Sequence, residues 1–221
     1  MDELRALERP LVVLIGGGTG VGKSTVATQL ARDLGITRVL GTDFTREVLR
    51  SVVPERIAPE LSRSSFELDK GLSPNGAAAH AEFERQAQEV LVGVRAEIER
   101  AVREGTSVIL EGIHLFPGLV DLGAVSNGLV VYVILTVDDR DALVDRFEGR
   151  ARASERPAGR YEEGLEAIRN LQAHFVNAAR RSGVPVIENL QVDTTVRRLL
   201  DLIFAAVEAV QPPRGPEPAP R

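Results

Sequence analysis

The run Gly17-Gly18-Thr19-Gly20-Val21-Gly22-Lys23-Ser24 fits the pattern G-x-x-x-x-G-K-[ST] at every defined position. The apolar run Leu11-Val12-Val13-Leu14-Ile15 leads into it, and the helix-compatible stretch Thr25-Val26-Ala27-Thr28-Gln29-Leu30-Ala31 comes after it. A strand, a glycine turn and a helix N-terminus together make a phosphate site. Glycines let successive backbone N–H groups curl round the anion, and the helix dipole adds favourable potential. The expected nucleotide contacts are therefore Gly18, Thr19, Gly20, Val21, Gly22, Lys23, Ser24 and Thr25, with Lys23 at the β- and γ-phosphates and Ser24 on Mg²⁺. A dinucleotide loop does not fit, because G-x-G-x-x-G started at Gly16 meets Val21 and started at Gly18 meets Lys23. Lysine occurs only at Lys23 and Lys70 in a chain that otherwise uses arginine. A compact ammonium is kept where this loop needs one.

The length of 221 residues suits one α/β domain with a sizeable core. A formal charge of −5 argues against general nucleic-acid binding. Without cysteine there are no disulfides or thiolate metal sites, so any metal is oxygen-ligated. The acidic start Met1-Asp2-Glu3-Leu4-Arg5 and the short first apolar run predict a cytoplasmic protein without a membrane role. Residues 1–210 are expected to form one domain, and the proline-rich residues 211–221 a disordered tail. No oligomeric state is fixed, a homodimer being compatible with the sequence.

Five apolar runs read as strands: Leu11–Ile15, Arg38–Leu40, Ser107–Leu110, Leu129–Thr136 and Pro185–Ile187. Between them lie amphipathic stretches of helical period, among them Phe83 to Ala101 ending at Gly105, Leu165 to Ala179 ending at Gly183, and Val192 to Val210. Such alternation predicts a five-stranded parallel sheet with helices on both faces, an α/β P-loop NTPase kinase fold. Ligands then bind beyond the carboxyl ends of the strands.

The residues just after each strand therefore bear on the chemistry. After the second come Thr42 or Asp43 as a helix cap, with Arg46 and Arg50 four residues apart on one face. Asp43 is placed to receive a proton from an acceptor hydroxyl, and the arginines to hold an anion. The alternative is a capping Asp with solvated arginines paired to Glu47. Glu111 closes the third strand, where an acid can support the metal beside Ser24, a role Asp43 could share. His114, three residues on, is either a substrate contact or a structural histidine. The segment 146–161, dense in arginine and punctuated by Gly and Pro, reads as a closing lid; Arg150, Arg152 and Arg156 would clamp the transferring phosphoryl group. Residues 53–76 read as an insertion enclosing substrate. These residues describe ATP- and Mg²⁺-dependent transfer to the hydroxyl of a small anionic metabolite. A gluconate-like acid, a nucleoside or a specialised-pathway intermediate remains open as acceptor, and so does a slow nucleotide-dependent regulator.

Taken together, several segments resemble the 2-phosphoglycerate kinase family of P-loop kinases: Gly17–Thr25; Gly41-Thr42-Asp43 with Arg46-Glu47-Val48-Leu49-Arg50; Ser64-Ser65-Phe66; Glu111 through Pro117; Arg156 through Tyr161; and Gly183 through Asn189. The resemblance runs from about Leu11 to about Val207. It implies ATP-dependent phosphorylation of the free hydroxyl of 2-phosphoglycerate, giving 2,3-bisphosphoglycerate. Ser64, Ser65 and Arg160 join Asp43, Arg46, Arg50 and His114 as expected substrate contacts.

Overall fold

A computed structural model describes residues 9–63, 77–121, 123, 125–153 and 165–210. Five strands alternate with helices: β1 (Leu11–Gly17), α1 (Lys23–Leu34), β2 (Val39–Gly41), α2 (Thr42–Val52), a 3₁₀ turn (Pro59–Ser62), α3 (Ala77–Arg103), β3 (Val108–Glu111), β4 (Leu129–Thr136), α4 (Arg140–Ala153), α5 (Leu165–Ser182), β5 (Val186–Glu188) and α6 (Val192–Val210). All five predicted strands are present, each within a residue or two of its apolar run.

The sheet order is β2-β3-β1-β4-β5, and every pairing is parallel. β1 is central and buried along its whole length, as a strand covered on both faces must be. Its pleat divides the core in two. Leu11, Val13 and Ile15 pack with α1, α4 and α6, whereas Val12 and Leu14 pack with α3 and the C-terminal part of α5. α3 and α5 stop just before Gly105 and Gly183, where the sequence predicts helix ends. No helix among the described residues is long and apolar enough to cross a membrane.

The topology locates a crevice. From β1 the chain crosses to β2 on one side, and from β3 it crosses to β4 on the other. The carboxyl ends of β1 and β3, which are neighbours, form the switch point where α/β sheets bind ligands.

Candidate active site

The loop 18–22 leaves the carboxyl end of β1 and enters α1 at Lys23, with Gly22 as N-cap. Lys23, Ser24 and Thr25 occupy the first turn of α1, which carries no acidic side chain, so the positive end of its dipole favours an anion. Lys23 Nζ donates to the Gly18 carbonyl at 2.7 Å. Ser24 Oγ donates to Glu111 Oε1 at 2.8 Å. Two hard oxygen ligands, a hydroxyl and a carboxylate, thus meet at the switch point beside a phosphate-binding loop. This donor set fits Mg²⁺, which binds through one or two protein oxygens and substrate phosphates. Ile15 pairs with Glu111 and Gly41 pairs with Glu111 across the sheet, so register alone brings the P-loop, the acid and the start of α2 to one end.

Asp43 is at the start of α2 with its side chain 77% exposed. Neither Asp43 nor Thr42 caps that helix: the N-cap is Gly41, without a side-chain cap hydrogen bond. The Thr42 hydroxyl is spent elsewhere, 2.8 Å from Nδ1 of His114. That contact needs the glycine at 112, because a Cβ there would overlap the Thr42 side chain.

Of the two readings of His114, the structure favours the structural one. Its side chain is fully buried, and both ring nitrogens are engaged inside the protein. Gln86 Nε2 donates to the carbonyls of Glu60 and Arg63, which leaves Gln86 Oε1 to accept from His114 Nε2 at 3.2 Å. The network therefore assigns the proton to Nε2 and makes Nδ1 the acceptor from Thr42. Burial pushes the imidazole down to about 4, overriding the opposing effect of Asp43. With a neutral ring, the 4.0 Å approach of Asp43 to Nδ1 is not an ion pair. His114 ties together the start of α2, the turn after β3, α3 and the 59–63 segment.

The two arginines of α2 differ in environment. Arg46 is 15% exposed, and its Nη1 donates to the carbonyls of Leu61 (2.8 Å) and Arg63 (3.1 Å). Its Nη1 thus holds the 3₁₀ turn and the residue after it, while Nη2 lies 3.7 Å from Glu47 Oε2. Arg50 is 46% exposed and hydrogen bonded to Glu47, three residues before it. This is the paired, solvated arrangement that helical spacing allowed.

Of the segment 146–161 expected to form a lid, residues 154–161 lie outside the described residues. Residues 146–153 continue α4 as helix rather than forming a loop. Arg150 and Arg152 lie on that helix, and their side chains are outside the described set; Arg156 and Arg160, like Ser64 and Ser65, lie outside the described residues altogether. Arg146 turns towards the P-loop instead: Nη1 donates to the Val21 carbonyl at 3.1 Å and Nη2 to the carbonyls of Asn189 and Leu190.

Sequence reasoning gave no role to Asn189, Thr195, Gln86 or Gln172. Asn189, buried at the end of β5, donates from Nδ2 to the Val21 carbonyl at 2.7 Å and accepts from the Thr195 hydroxyl at 2.8 Å. Gln172 bridges the N–H and C=O of Val137 beyond β4, and its Cβ lies against Gly18. The rule that marked Glu111, a polar residue ending an apolar strand, also applies to Asn189. A cavity of about 460 Å³ opens elsewhere, between α3 and the segment before β4, lined by Leu91, Val94, Ile98, Val102 and Val120; no expected site residue lines it.

Comparison with known proteins extends this picture. Residues 13–176 match the family described as an AAA domain. The 2-phosphoglycerate kinase of Methanocaldococcus jannaschii is 40% identical over 196 residues, covering 88% of this chain and 63% of its own length. That of Pyrococcus horikoshii is 40% identical over 213 residues, covering 96% and 70%. This chain thus spans roughly two thirds of the length of these relatives. Among solved structures, shikimate kinase from Acinetobacter baumannii in complex with shikimate superposes with a TM-score of 0.51 at 19% identity, covering 92% of this chain and 97% of its own. A gluconokinase from Sinorhizobium meliloti gives 0.52 at 16% identity, with the same coverage. These two share the P-loop kinase fold with the present structure. The extent and identity of the sequence matches go further, and the chain belongs to the 2-phosphoglycerate kinase family.

Proposed function

We propose that this protein is an ATP-dependent kinase that phosphorylates the free hydroxyl of 2-phosphoglycerate to give 2,3-bisphosphoglycerate. The observation that carries the reading is the 2.8 Å hydrogen bond from Ser24 to Glu111, which joins the phosphate loop to an acid on the next strand beside the Asp43 helix. The acceptor comes from the relatives at 40% identity, which are named for 2-phosphoglycerate.

In this mechanism the loop amides and Lys23 would hold the triphosphate, and Ser24 and Glu111 the divalent cation. When bound, Mg²⁺ would neutralise charge on the β- and γ-phosphate oxygens. Asp43 would accept the proton of the acceptor hydroxyl as its oxygen attacks the γ-phosphorus and the bond to ADP breaks. Its exposed carboxylate is free of an ion pair with the neutral His114, which suits it to that task. Arg50 is the α2 arginine that can leave its exposed Glu47 contact for the acceptor's carboxylate or phosphate. The arginines of 150–160 would supply the clamp on the transferring group.

Thermal unfolding with each ligand separately tests this reading. A kinase of this kind is stabilised by Mg²⁺ with an ATP analogue and, independently, by 2-phosphoglycerate. Stabilisation by nucleotide alone, with no response to any phosphorylated hydroxy acid, would point to a nucleotide-dependent regulator instead.

A further inference from the structure

The Val21 carbonyl is held from two directions by groups distant in sequence. Asn189 Nδ2 reaches it at 2.7 Å and Arg146 Nη1 at 3.1 Å, so both its lone pairs are occupied. Asn189 is itself fixed on every side. Its backbone N–H bonds to Thr136 at the end of β4 (2.8 Å), and Thr195 Oγ1 donates to its Oδ1 (2.8 Å). Because Thr195 also bonds by its N–H to the Gln191 carbonyl, the first turn of α6 holds the hydroxyl in place. The Val21 carbonyl can only accept, so the carboxamide end facing it is the NH₂, and Oδ1 is left to accept from the Thr195 hydroxyl.

A planar trans peptide points its N–H opposite its C=O. Anchoring the Val21 carbonyl towards β5 therefore turns the Gly22 N–H the other way, away from the latch and into the loop. Gly22 has φ +86°, a conformation that glycine adopts freely, so backbone sterics alone would let this peptide flip. A flipped peptide would aim a carbonyl oxygen, rather than an N–H, at a phosphate. There is no room to lock it by side-chain bulk either, since a Cβ at Gly22 would come 2.7 Å from Asn189 Nδ2. The orientation has to come from hydrogen bonds. Arg146 adds charge: its guanidinium faces three backbone carbonyls and no carboxylate among the described residues.

We infer that Asn189, oriented by Thr195 and assisted by Arg146, is a positioning residue for ATP: it latches the P-loop with the Gly22 amide turned towards the triphosphate. The inference rests on the nucleotide half of the proposed function and is independent of the acceptor.

The test is Mg·ATP affinity by calorimetry, measured without acceptor alongside the unfolding temperature of the nucleotide-free protein. Asn189→Asp is nearly isosteric but sets an oxygen against the Val21 carbonyl. It should weaken Mg·ATP at least tenfold while KM for the acceptor stays within twofold. Thr195→Val, which removes only the orienting hydroxyl, should weaken ATP severalfold, and Thr195→Ser should restore it. Asn189→Asp or Thr195→Val with ATP affinity within twofold of wild type would overturn the latch, as would a Thr195→Ser no better than Thr195→Val. So would a loss of affinity that merely tracks the lowered unfolding temperature across all variants. If the chain binds ATP and shows this pattern yet transfers nothing to 2-phosphoglycerate, the latch stands and only the acceptor assignment fails. A wild type that binds no Mg·ATP removes both.

Discussion

The two halves of the site are built differently. On the nucleotide side the proposed groups are backbone amides, a lysine and a serine at the start of a helix, beside two buried carboxamides, Gln172 of α5 bonded to Val137 and Asn189 bonded to Val21. On the acceptor side the proposed groups are side chains at the exposed start of α2, with Asp43 77% and Arg50 46% exposed. Triphosphate is the same in every ATP enzyme, so a rigid cradle suffices. An acceptor differs between enzymes, and side chains on a helix edge are easily exchanged. The contrast predicts that variants on the two sides separate cleanly in kinetics.

Lys23→Ala should give the largest effect, lowering turnover by about a thousandfold through loss of charge on the transferring phosphoryl group. A fall under tenfold in a steady-state assay would remove Lys23 from the reaction. Asp43→Asn should lower kcat by about a hundredfold or more, the usual size for a general base, with Mg·ATP affinity unchanged. Equal losses in kcat and ATP affinity would contradict the division into halves.

His114 extends the contrast to stability. Its folded value, about 4, lies below the ordinary 6.5, so an unfolded chain takes up the proton first as pH falls. The stability this represents is complete above pH 6.5 and is lost as pH drops from 6.5 towards 4, on the order of 3 kcal/mol. Urea unfolding of wild type and His114→Gln between pH 7.5 and 4.5 measures it, with the variant expected to show the flatter profile. Parallel profiles would refute the neutral, buried imidazole. The smallest effect is reserved for Arg50→Ala: about a tenfold rise in acceptor KM, with kcat and thermal unfolding unchanged. No change in KM would leave Arg50 as a surface ion pair and nothing more.

The same contrast explains what could be read from the sequence. The P-loop was legible because backbone chemistry requires glycines at fixed spacing between a strand and a helix. β1 and β4 were legible as apolar runs buried on both faces, and even three-residue β2 and β5 were marked by their neighbours. The environment of His114 was not legible, since its partners are 72 positions upstream at Thr42 and 28 upstream at Gln86. Thr42 looked like a helix cap because local pattern cannot reveal a hydroxyl claimed by tertiary structure. Arg46 read as an anion contact or a solvated partner of Glu47 for the same reason, since local pattern does not show the carbonyls of Leu61 and Arg63 within its reach. Asn189 stands out locally only as a polar residue closing an apolar strand; its bond to Val21 spans 168 residues, and nothing local names that partner. Residues that act through backbone geometry announce themselves locally; those that act through tertiary hydrogen bonds do not.

The direction of transfer, from ATP to the hydroxyl of 2-phosphoglycerate, is open to a direct check by phosphorus NMR of a mixture of the protein, ATP, Mg²⁺ and 2-phosphoglycerate. The ATP γ-signal should disappear with matching growth of ADP and of a second phosphoester signal on the glycerate, and no inorganic phosphate should form. ADP with inorganic phosphate alone, or a new phosphoester only from a different hydroxy acid, would contradict that direction or that acceptor.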